Sequence, residues 1–149
     1  MMNRRHALGL ILTTPLIARP AWAASPDFFA VDGLAIRGAD PVAFFDGDGP
    51  MVAQTDHRLM WRGATWQFAS AENQARFEAE PDTFAPQYGG YCAYAASKGY
   101  VATSVPEAWT VHEGKLYLNY SVNVRGIWSQ DIEGNVARAD ANWPAILAN

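Results

Sequence analysis

The sequence predicts an α+β fold in a single small domain, with two short β-hairpins and about three to four helices. Two turn pairs carry the hairpin part, Arg62-Gly63 and Glu113-Gly114, each flanked by short runs of aromatic and β-favouring residues. Helix-start signals at Ser70 and Ser121 carry the helical part. Strand and helix signals fall in separate runs, without the strand-helix alternation of a doubly wound sheet.

In chain order, Arg4-Arg5, an apolar run from Ala7 to Ala18 and the small-x-small triplet Ala21-Trp22-Ala23 read as a cleavable export signal over residues 1–23. The paired arginines resemble the twin-arginine signal, although Ala7 stands where that signal usually has phenylalanine. The general secretory route is the alternative, and both deliver to the periplasm. A membrane span needs roughly 20 apolar residues, and this run is shorter and contains Pro15. No permanent membrane anchor is expected. Residues 24–32 read as a flexible lead-in, and residues 33–147 as the domain proper.

Asp40-Pro41 reads as a helix cap with proline at the first helical position, followed by one turn from Val42 to Phe45. Asp46-Gly47-Asp48-Gly49-Pro50 is a surface loop. His57 to Trp61 and Thr65 to Ala69 form the first hairpin. Ser70 caps a helix from Ala71 to Glu80, with Phe77 as its apolar anchor and Pro81 as its stop. Trp109 to His112 and Lys115 to Asn119 form the second hairpin, with Leu116 and Leu118 alternating against Tyr117. Ser121 caps a helix reaching about Asp131, and Asn135 to Trp143 forms the last helix after Gly134.

Charge narrows the function classes. The chain has a formal charge of −4, and the signal would remove Arg4, Arg5 and Arg19 without any acid. A nucleic-acid partner is not expected for so acidic a domain. Cys92 is the one cysteine, so no internal disulfide supports the fold and packing must do so. No Gly-x-Ser-x-Gly, phosphate-cradling loop or zinc-protease helix motif occurs.

The most unusual segment is Gln87-Tyr88-Gly89-Gly90-Tyr91-Cys92-Ala93-Tyr94-Ala95. Gly89 and Gly90 admit close backbone approach beside the thiol, and Tyr88, Tyr91 and Tyr94 offer aromatic walls and hydroxyls around sulfur. Set against this is a simpler reading, in which free cysteine is a small buried hydrophobe.

Three blocks, Asp40-Pro41-Val42-Ala43-Phe44-Phe45, then Gly63 to Asn73, then Pro86 to Tyr94, resemble the YHS-domain (seleno)protein family. Gly114 to Tyr120 and Ala141-Asn142-Trp143-Pro144 extend the resemblance over most of residues 33–147. The resemblance implies a YHS-like α+β scaffold. It also implies a functional Cys92, because some branch members carry selenocysteine there, and a selenol suits nucleophilic chemistry or soft-metal ligation. In the short metal-binding YHS domain cysteines stand at the places held here by Ala43, Ala69 and Asn73. Those residues supply no soft donor, so that thiolate site cannot form in this chain.

The candidate site is therefore a pocket around Cys92, lined by Tyr88, Gly89, Gly90, Tyr91 and Tyr94, with Asp40 to Phe45 as contributors from the other half of the chain. His57 and His112 could join Cys92 in a copper or zinc site of one thiolate and two imidazoles, although each histidine alone reads first as an exposed or capped side chain. Asp40 reads first as a cap. The tryptophans read as core. Three functions stay open: an exported accessory module binding a soft metal, copper above all, or a small ligand; a thiol-dependent redox protein with an external thiol partner; and an interaction module with an inert sulfur.

Overall fold

The computed structural model describes residues 23–51 and 53–149, so the expected export signal lies outside the described residues but for Ala23. Ala30–Val31 (β1) and Leu34–Ala35 (β2) pair antiparallel around Asp32-Gly33, whose positive φ values of 51° and 80° make the tight turn. Gln54–Trp61 (β3) and Ala64–Phe68 (β4) form the first expected hairpin, turning at Arg62-Gly63. The four strands make one sheet in the order β1-β2-β4-β3, closed by a parallel contact between Leu34 and Thr65.

Ala71–Ala79 (α1) starts where the Ser70 hydroxyl accepts from the Asn73 N–H, and it buries Phe77 completely. The Phe77 ring packs on Trp61, Trp66 and Phe68. Pro81, expected as a stop, also opens a short helix, Pro81–Phe84 (α2), in keeping with the preference of proline for the first helical turn. Ala93–Ser97 (α3) follows the Gly-Gly turn. The second hairpin is Val105–His112 (β5) with Lys115–Asn119 (β6). Val122–Trp128 (α4) is capped by Ser121. Ile132–Asn142 (α5) begins three residues earlier than expected. Gly134 does not break it, because the Asp131 carboxylate caps the helix by accepting from the Gly134 N–H.

The alternation of β6 organises the interior. Leu116 and Leu118 face a cluster holding Phe44, Trp66, Phe68 and Phe77, while Tyr117 faces a second cluster holding Tyr88, Trp128, Ala139 and Ile146. One strand buried on both faces thus joins the two clusters into a single α+β domain.

Residues 24–32, expected as a flexible lead-in, make specific contacts with the domain. The Ser25 N–H donates to the Leu147 carbonyl, the Tyr91 hydroxyl to the Pro26 carbonyl and the Phe29 N–H to the Gly89 carbonyl. Phe28 packs on Trp61 and Trp66. Its apolar residues found partners that a local reading does not contain. Among the described residues no helix is long and apolar enough to cross a membrane.

Candidate functional site

Cys92 ends the Gly-Gly turn and starts α3. Its N–H donates to the Ala102 carbonyl, and its backbone forms an isolated bridge with Leu118 of β6. The side chain is 1% exposed. The sulfur accepts from the Ala95 N–H at 3.5 Å, and the thiol donates to Asn119 Oδ1 at 3.6 Å. The same Asn119 oxygen accepts from the Tyr94 N–H at 3.0 Å, which fixes the carboxamide orientation. Asn119 Nδ2 is then left buried without a hydrogen-bond partner among the described residues.

Cys92 lines a cavity of about 290 Å³ with Tyr94, Tyr100, Ala102, Tyr120 and Val124. Of the expected tyrosines only Tyr94 is there. Tyr88 instead donates its hydroxyl to Asp140 at 2.9 Å, and Tyr91 donates to Pro26 at 2.8 Å. Both are buried, and burial pushes their ionisation upward, with the Asp140 hydrogen bond adding to the effect at Tyr88. Gly89 is required for a different neighbour than expected, since a Cβ there would run into the Asp27 carbonyl oxygen. Gly90 packs on Pro86. Gly89 therefore lets the chain fold against its own amino-terminal segment, and neither glycine lines the thiol cavity.

Asp40 to Phe45 do not reach that cavity either. Asp40 is fully buried, and its carboxylate accepts from the N–H groups of Val42 at 2.8 Å and Ala43 at 3.4 Å, as a cap does. It also accepts from the Ala69 N–H at 2.8 Å and Asn73 Nδ2 at 2.7 Å. Ala43, Ala69 and Asn73 are thus gathered in space around one carboxylate, whose oxygens accept from four N–H donors.

His57 and His112 do not converge on Cys92. His57 lies on β3 in the four-stranded sheet, and His112 pairs with Lys115 at the turn end of the second hairpin. That is three rungs from the Leu118 that Cys92 bridges, about 10 Å along the strand. Among the described residues no group of three or more His, Cys, Asp or Glu side chains is placed to hold a metal ion. The two histidines sit on different sheets, a separation that sequence spacing does not report.

No family model, curated protein or solved structure matches this chain. The site rests on its own chemistry. Sequence reasoning missed Asn119, Tyr100 and Tyr120. For Asn119 a signal existed: strand alternation puts it on the same face as Tyr117, so a carboxamide was due to point inward.

Proposed function

We propose that the chain is an exported, YHS-like accessory module that takes a small ligand at Cys92. The observation that carries this reading is the enclosure of Cys92, which is almost fully buried yet lines a cavity walled by Tyr94, Tyr100 and Tyr120. Such a site, mostly apolar with a few fixed polar groups, is the common form of a small-ligand pocket. The gathering of Ala43, Ala69 and Asn73 around Asp40 supports the YHS-like scaffold. A copper or zinc ion fits the residues less well, because among the described residues no group of three or more His, Cys, Asp or Glu side chains is placed to hold one.

A second reading, thiol redox chemistry, is favoured by the unpartnered Asn119 Nδ2. A hydroperoxide would transfer one oxygen to the thiol, giving a sulfenic acid and water or an alcohol. An external thiol would then condense with it, releasing water and leaving a mixed disulfide. The spare amide N–H of Asn119 would serve an oxygen placed on sulfur.

Size-graded alkylation tests the leading reading. Iodoacetamide is expected to modify Cys92 in the folded protein well before a bulky polymer-linked maleimide does. An inert packed sulfur would react with both only as fast as the protein unfolds. Titration of copper(I) and zinc into the protein and its Cys92→Ser variant completes the test, since stoichiometric binding lost in the variant would restore the metal.

A further inference from the structure

A larger cleft, of about 570 Å³, lies elsewhere and shares no lining residue with the Cys92 cavity. Four stretches remote in sequence build it: the amino-terminal segment at Asp27 and Phe28, the hairpin turn at Arg62, Asp82 with the run from Ala85 to Gly89, and the carboxy-terminal stretch at Asp140, Trp143 and Leu147. Backbone hydrogen bonds join the first of these to the last two, Phe29 to Gly89 and Ser25 to Leu147. Tyr88 closes the wall with φ at 54°, an unfavourable conformation for a tyrosine, and its hydroxyl is spent on Asp140.

The lining has two characters. Phe28, Trp143 and Leu147 supply apolar surface. Asp27, Asp82, Asp140 and Arg62 supply the charge, and Arg62 is paired with Asp82 at 3.4 Å. Among the described residues Asp27 and Asp140 make no salt bridge. The cleft thus carries a surplus of negative charge beside an aromatic wall, at a volume in the range of small-molecule sites.

We propose that this cleft binds a small organic cation, a protonated or quaternary amine on an apolar body, with the body against Trp143 and Phe28 and the charge between Asp27 and Asp140. An anion of the same shape meets net repulsion there. Trp143 and Phe28 supply the apolar ring surface for the body. Both carboxylates are exposed, so each contributes modestly.

Two probes of one shape and opposite charge decide it: 2-phenylethylamine and 3-phenylpropionate, read by fluorine NMR on protein labelled with 5-fluorotryptophan. The Trp143 resonance, assigned through Trp143→Phe, is expected to move with the amine at a Kd of about 1 mM or tighter and to stay still with the acid. Asp27→Asn and Asp140→Asn should each weaken the amine by about two- to fivefold, and the double variant by more. Asparagine keeps an acceptor for the Tyr88 hydroxyl, and Asp27→Asn leaves the Tyr88–Asp140 pair intact, so at least one variant keeps its fold. Cys92→Ser should bind the amine as the parent does. A silent Trp143, equal response to the acid, or full affinity in the double variant would overturn the cation site. Loss of amine binding in Cys92→Ser would overturn its independence from the thiol.

Discussion

At the scale of the residue, Asp40 shows how one side chain holds distant parts of the chain together. Two of its four donors come from its own turn and two from Ala69 and Asn73, on the far side of the first hairpin. Asp40→Ala leaves buried N–H groups without an acceptor, at about 1 to 3 kcal/mol each. The variant is expected to lose at least about 3 kcal/mol in urea unfolding, more than the roughly 2 kcal/mol that is the most a simple cap loses. A loss near 1 kcal/mol would reduce Asp40 to a local cap. The local half of this role is readable in Asp40-Pro41-Val42, because a cap acts within three residues. The remote half is not, because nothing in the spacing says that Asn73 will return to it. Cys92 is a parallel case: its tyrosines were expected from proximity in sequence, and two of the three turned away because buried hydroxyls needed acceptors elsewhere.

At the scale of the element, α1 was legible because its signals are local and mutually consistent: the Ser70 cap, Glu72 in the first turn, Phe77 on the inner face and Pro81 beyond. Its energetic centre is Phe77, against which three aromatic rings close. Phe77→Ala is expected to cost about 3 to 5 kcal/mol, through lost burial and the cavity that remains. Ser70→Ala should cost about 1 kcal/mol. Chemical denaturation of both variants checks the ratio, and equal losses would contradict the packing described. The short helices α2 and α3 escaped sequence reading because four or five residues hold little more than one turn, too few for the pattern to repeat. They stand by packing, as α3 does against α5. The start of α5 was misplaced because a glycine inside a helix costs only about 1 kcal/mol, too little to end one that is capped upstream and buried at Asn135 and Ala139.

At the scale of the whole molecule, the two-faced β6 couples the fold to alkaline pH. Tyr88, Tyr91 and Tyr117 are all buried, and burial raises the ionisation of each above the ordinary value. The sign follows from linkage. Below about pH 10 these phenols are protonated in folded and unfolded chain alike, so their contribution is fully present; above it the unfolded chain releases protons that the fold retains. Stability should therefore fall as pH rises past 10, by about 1.4 kcal/mol per pH unit for each tyrosine so held. Urea midpoints between about pH 9 and pH 11, with tyrosinate absorbance followed alongside, check this. Part of the absorbance should appear only together with unfolding. A flat stability profile would mean that water reaches these rings.

By itself the sequence determined the α+β class, both hairpins, the capped helices and the alternating β6, because each rests on interactions reaching a few residues. The tertiary structure alone decided that Asn119, Tyr100 and Tyr120 surround the thiol, that Ala43, Ala69 and Asn73 close on a carboxylate, that the histidines stay apart, and that the amino-terminal segment docks on Gly89. These are meetings of segments far apart along the chain. Which of them form depends on how whole faces bury apolar area together, a quantity that no local pattern of residues contains.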